Sequence, residues 1–253
     1  MDEQQSIPGG IPSVSSFIAR STDVFAAPGE LFTEVAAAPV QTSSWLLPLA
    51  LSIVLSLVFT YALYYNGNLR QQIYDMQTRG MQKAVEEGKM TQERFDQVKE
   101  GMESSGPGWF MLIGGGGAIV SILVMFFCAT LVLWLAVKLA FKFTGSYKKV
   151  LEIFGLASII GLLGSIVTLL MMNVFNSVHA TPSGSLLIME SFDTDKMEHK
   201  LLASLNVFTL WQAGVLGMGI ARVTGKPTGA GLGLVYGLWL AWAIAASFLG
   251  LAR

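Results

Sequence analysis

"GAGLGLVYGLWLAWAIAA", residues 229 to 246, is the stretch that decides the fold. It carries no charged residue. A helix of about 20 apolar residues crosses the hydrocarbon of a bilayer, so a span is expected from Gly229 to Leu251. Its small residues recur at every fourth position: Gly229, Gly233, Gly237, Ala241 and Ala245. On a helix they form one flat stripe. In lipid, apolar side chains gain nothing by leaving the solvent, and helices associate through close backbone approach. The stripe is therefore expected to lie against a neighbouring helix of the same chain, with homodimerisation as the competing use. Gly217 (with Ala213 and Ala221) and Gly161 (with Ala157 and Ser165) repeat the pattern on two other runs.

Four further apolar runs are long enough to span, at 45–65, 109–143, 150–178 and 201–221. Pro48 falls in the first turn of its run, where a missing N–H costs least. Lys138 and Lys142 share a face and can snorkel to an interface. The composition agrees: of 253 residues, 53% are hydrophobic and 13% charged, against about 25% charged in ordinary soluble domains. The expected fold is an all-α membrane bundle of five transmembrane helices, residues 44–251. A net charge of −1 gives no footing for nucleic acid. Cys128 is alone and reads as inert packing. No basic, apolar, small-residue leader opens the chain, so the first span is expected to act as the insertion signal.

Two polar regions flank the first span. Residues 1–14, with Pro8, Gly9, Gly10 and Pro12, read as a disordered tail. Residues 15–43 read as amphipathic helices at the membrane interface; Phe17, Ile18 and Phe25 share one side, and Leu31, Phe32 and Val35 another. The competing reading packs this segment against the loops of the bundle. Residues 67–107 are an island of charge with six Lys and Arg and seven Asp and Glu between Arg70 and Glu103. Leu69, Ile73, Met76 and Gly80 follow helical spacing, as do Thr91, Phe95, Val98 and Met102. Gly88 is a natural stop between them, Thr91 a cap, and Met90 with Phe95 a hydrophobic staple. A water-exposed helical hairpin or docking surface is expected. "EEGKMTQERFDQVKE", residues 86–100, is also similar to the helix–Gly–Thr–helix core of short bacterial oligomerisation motifs.

Orientation follows Lys and Arg in short loops. Lys138, Lys142, Lys148, Lys149, Arg222 and Lys226 fall on the side of the N-terminus, against Lys196 and Lys200 opposite. This places the N-terminus in the cytoplasm, the hairpin outside and, with five spans, the C-terminus outside a bacterial inner membrane. Glu152 and Lys138 read as ordinary interfacial charges at span ends. Asn173, Asn176, Asn206, Thr209 and Gln212 form an expected polar intramembrane cluster, as glue between spans three and four or as a lining for a solute or headgroup. In "ESFDTDKMEHK", Asp195, Glu198 and His199 share a helix face, with Asp193 and His179 in reach, a weak metal-ligand pattern. No cofactor is expected. No nucleophile elbow, zinc-protease, phosphate-loop or dinucleotide motif occurs, so the chain is not expected to be an enzyme.

Two segments carry a family likeness. "VFAAPGELFTEVAAAP" (24–39) precedes the spans, and "FDTDKMEHKLLASLNVFTLWQAGVLGMGIARVTG" (192–225) joins a polar approach to a helix with Trp211 and a Gly-rich exit. Over about residues 24–250 the chain resembles the bacterial branch of the Yip1 domain family of five-span membrane proteins. The resemblance implies a cytosolic N-terminus and, for eukaryotic relatives, work in early secretory membranes with small GTPases and other membrane proteins. The long hairpin departs from the compact family pattern, and no catalytic residues come with the likeness. The expected function is a non-enzymatic membrane scaffold or adaptor. Its partners would be the lipid bilayer, other membrane proteins and, as a homo-oligomer, a second copy. Rival readings are a transporter or channel subunit using the polar cluster, and a metal-dependent enzyme using the outer acidic loop.

Overall fold

A computed structural model describes residues 15–104 and 111–248. The expected tail at 1–14 lies outside them, as do the approach to the second span at 105–110 and the last turn of the fifth. Among the described residues the fold is all-helical, with one isolated bridge, Ser183 to Asn206. Two short helices, α1 (Phe17–Ala26) and α2 (Pro28–Ala37), precede α3 (Ser43–Tyr65). The charged island is α4 (Gly67–Glu86) and α5 (Gln92–Ser104). A π turn, Met111–Gly115, opens α6 (Gly116–Phe141), and α7 (Tyr147–Phe175) follows. A 3₁₀ segment, Gly184–Ser191, and α8 (Met197–Ser204) lead to α9 (Val207–Thr224) and α10 (Thr228–Phe248).

Among the described residues four helices are long and apolar enough to cross a membrane: α3, the continuous run Met111–Phe141, α7 and α10. The fourth expected run falls on α9, which is 18 residues long and interrupted by Gln212 and Arg222. It sits at the centre, with Ala213, Val215, Leu216, Gly217, Gly219, Ile220 and Ala221 buried. Gly164 of α7 meets Phe208 and Gly219 meets Ile153, so α9 runs antiparallel along α7. Gly155 sits against the Trp45 backbone and Asn66 bonds Asn173, so α3 and α7 run parallel.

The packing face of α10 is not the one expected. Nothing lies within 4 Å of a Cβ built at Gly229, Gly233 or Gly237, and Ala241 and Ala245 are exposed with them. The face turned inward carries Gly231, Val235, Ala243, Ala246 and Ser247. A Cβ at Gly231 would strike the Gly217 carbonyl oxygen, and one at Gly217 would come within 2.9 Å of the Leu232 Cα. One pair of facing glycines therefore sets the α9–α10 crossing. The Tyr236 hydroxyl donates to the Leu210 carbonyl (3.0 Å) and fixes the register. Periodicity identifies small faces but not which of two is occupied.

The N-terminal helices also differ from expectation. Val24, Leu31, Phe32 and Val35 are buried in the main core with Ile153, Leu156 and Ile220. Phe32 lies over Gly219, where a Cβ would come within 3.1 Å of its ring. The apolar stripe of α2 is thus used inside the protein rather than on the bilayer. On α1 the inward positions are Arg20 and Val24; Ile18 faces out, while the Phe25 ring sits edge-on to Trp211 of α9 at 5.6 Å, so Phe17, Ile18 and Phe25 do not form one outward apolar side.

The island folds as two helices, broken at Gly88 with φ +70. Thr91 Oγ1 accepts from the Arg94 N–H, and Phe95 is buried. Leu69 is fully buried at the foot of the hairpin.

Candidate functional site

Polar groups concentrate at the two ends of the bundle. At the end bearing α1 and α2, two cations and two carboxylates meet: Arg20 of α1, Glu34 of α2, and Lys149 and Glu152 of α7. Glu152 is 0% exposed and Arg20 1%. Arg20 Nη1 donates to Glu152 Oε1 (3.2 Å) and Ser44 Oγ (3.1 Å); Nη2 donates to Glu34 Oε1 (2.9 Å) and Nε to Ser15 Oγ (3.3 Å). Lys149 Nζ donates to Glu152 Oε2 (2.9 Å) and to the last carbonyls of α2, Val35 (2.8 Å) and Ala38 (2.9 Å). Those carbonyls are the negative end of the helix dipole. The Gln41 N–H adds a bond to Glu152 Oε1 (3.0 Å). The four charges cancel, and every lysine donor is used. Such a network is favourable only when fully satisfied; removing one member strands the rest. It joins α1, α2, the α2–α3 link and α7 into one body. Glu152 is therefore no ordinary interfacial charge. Sequence reasoning passed over Arg20 altogether.

Burial works to raise the Glu34 carboxyl, but hydrogen bonds from Arg20 and Ser15 outweigh it and leave the group below its ordinary value of 4.5. At the other end, burial holds the His179 ring below its ordinary 6.5. Both groups refuse a proton that the unfolded chain accepts, so both contribute stability that is lost as pH falls. Acidification is expected to loosen the loop around His179 first, below about pH 6.5, and the α1–α2 attachment only below about pH 4.5. Hydrogen exchange across pH 7 to 4 measures this; the reverse order would contradict it.

The opposite end is held by amides. Asn66 Nδ2 donates to Asn173 Oδ1 (3.2 Å) and Asn176 Oδ1 (3.3 Å). Gln72 of α4 donates to the Asn176 carbonyl (2.8 Å) and accepts from the Val178 N–H (3.1 Å). Lys83 pairs with Asp195 at 2.7 Å, both exposed. The hairpin is thereby tied to the loop after α7. Replacing Asn66 with leucine is expected to lower stability by about 0.6 to 1.7 kcal/mol. Replacing Lys83 with alanine should leave the melting temperature unchanged, since exposed pairs contribute little.

The expected polar cluster separates into three parts. Asn173 and Asn176 turn to Asn66 rather than to α9, and Asn176, with φ +50, closes α7 in the left-handed conformation that Asn tolerates. Asn206 is the N-cap of α9, accepting from Phe208 (2.9 Å) and Thr209 (3.3 Å); Thr209 is exposed. Only Gln212 lies deep, beside Gly161. A single polar path through Asn173, Asn206, Thr209 and Gln212 does not form.

The acidic loop at 190–200 does not converge either. His199 Nδ1 accepts from the Asp193 N–H (3.0 Å), Asp195 points to Lys83, and Phe192 stacks on His179 with centroids 4.4 Å apart. Among the described residues no three His, Cys, Asp or Glu side chains could hold a metal ion. Asp195, Glu198 and His199 therefore do not form the ligand set their spacing suggested.

The geometry defines a polytopic α-helical membrane protein whose extramembrane helices are latched to the bundle at both ends. The Yip1 domain family model matches residues 22–250, nearly the whole chain, and the protein belongs to that family. Comparison with curated proteins and with solved structures returned no significant match.

Proposed function

We propose that the protein is a non-enzymatic scaffold or adaptor of a bacterial inner membrane that binds other membrane proteins. In this reading α9 is the fourth of five spans, because it runs antiparallel beside α7 over the depth from Ile153 to Gly164. The N-terminus is then cytoplasmic and the C-terminus outside. The Lys and Arg of the short loops, six at the end bearing α1 and α2 against two opposite, favour this orientation, and the hairpin's own six are set aside because they lie mostly away from the span ends.

The observation that carries the proposal is the pair of latches. Arg20 and Glu152 hold α1 and α2 as a rigid cap, and Asn66 and Gln72 hold the foot of the charged hairpin. Extramembrane helices fixed to a bundle are suited to presenting a recognition surface. The outward charges of α4 and α5 supply its polarity.

Photo-crosslinking from positions on α4 and α5 in native membranes, followed by purification in mild detergent, tests the reading. Discrete membrane-protein adducts are expected, and reversing the charge of the exposed Arg79 and Arg94 should remove them without lowering the melting temperature. A chain that crosslinks only to lipid from every position contradicts it.

A further inference from the structure

A cavity of about 450 Å³ lies among α3, α6 and α7, with Gln212 of α9 at one wall. Five hydroxyl residues line it: Ser52, Ser56 and Thr60 from α3, Ser158 and Ser165 from α7. Each hydroxyl donates to a carbonyl of its own helix, at 2.7 to 3.0 Å. Their donors are spent, and lone pairs remain as acceptors.

Gln212 is the odd group. Its carboxamide lies beside Gly161, at the middle of α7, where a Cβ would come within 2.7 Å of Oε1. Gly161 therefore admits the amide. Among the described residues its Nε2 has no hydrogen-bond partner. A carboxamide left unbonded in an apolar medium is costly, and in hydrocarbon no solvent compensates it. The remaining walls are largely apolar, with Leu55, Phe59, Ile122 and Phe126 among them. No charged residue lines the cavity.

We infer that this cavity binds an uncharged lipid bearing a free hydroxyl, of the diacylglycerol type. The lipid hydroxyl accepts from Gln212 Nε2 and donates to a serine or threonine oxygen, while its chains lie on the apolar walls. A phosphate headgroup would arrive without a counter-charge at the depth where charge is most expensive. The lining residues fall in the interior of their spans rather than at the ends, so the site is at acyl-chain depth. The inference does not depend on the adaptor reading; either can fail alone.

The test is saturable labelling of the full chain in nanodiscs by a diazirine diacylglycerol, mapped by mass spectrometry. Labelling is expected on α6 or α9 near the cavity, competed by unlabelled diacylglycerol and not by phosphatidic acid. Gln212→Leu should weaken it about 5- to 10-fold, the equivalent of one hydrogen bond, with the melting temperature unchanged or raised. Gln212→Asn should retain part of it. Non-saturable labelling, equal competition by phosphatidic acid, an unchanged Gln212→Leu, or a cavity that holds only water would each overturn the inference.

Discussion

Arg20→Met is expected to be the most damaging polar substitution, at about 3 to 5 kcal/mol, the range for breaking a buried ion pair from one side. The variant leaves Glu152 fully buried with Lys149 and the Gln41 amide but without its guanidinium, and removes one of Glu34's partners. The damage should be local in form. α1 and α2 should become sensitive to protease while the bundle below them stays folded. Pairing the change with Glu152→Met should restore part of the loss, because the double variant no longer buries an uncompensated carboxylate. Thermal unfolding with limited proteolysis of the two variants measures both parts. A single variant that melts with its parent would mean that the network is not a latch.

Gly231→Leu should be nearly as severe. The Gly231–Gly217 contact is backbone on backbone, so no flexible side chain can move aside. Overpacking of about 3 kcal/mol or more is expected, seen as loss of the folded chain from mild detergent. Gly233→Leu with Gly237→Leu is the matched control. Both sites open away from the protein, so monomer stability should change by no more than about 0.5 kcal/mol. Any effect of the control should appear in self-association instead. Equal damage from both would contradict the α9–α10 crossing.

The contrast between those variants shows how far the amino-acid sequence carries. Runs of apolar residues located the helices, because length and hydrophobicity alone select segments for hydrocarbon. Gly88, Thr91 and Phe95 marked the hairpin break, since turn and cap chemistry is local. The inward face of α10 was not legible. Gly229, Gly233 and Gly237 make the longer stripe, but the choice rests on Gly231 meeting Gly217 and on Tyr236 reaching the Leu210 carbonyl. Those are contacts between helices, and one helix's periodicity does not contain them.

The Arg20–Glu152 latch left a trace that could have been followed. Glu152 stands between Leu151 and Ile153 at the opening of an otherwise apolar span, and an ionisable residue there calls for a named partner. Arg20 and Val24 are four apart in α1, on the face that packs inward. Nothing local pairs residues 132 positions apart; only the return of α1 onto α7 does so. Asn206 misled in the opposite way. Read as an amide inside a span, it is the N-cap of α9, because the apolar run 201–221 breaks between α8 and α9 at Leu205 and Asn206.

The account rests on α1 and α2 being part of the bundle. Hydrogen exchange followed by mass spectrometry, on the full chain in nanodiscs at neutral pH, measures this directly. The account predicts that amides of Ala19 to Ala26 and Leu31 to Ala37 exchange as slowly as those flanking Ile153 on α7, and that Arg20→Met releases them alone. Exchange of both helices within seconds in the parent chain, while α7 stays protected, would contradict it.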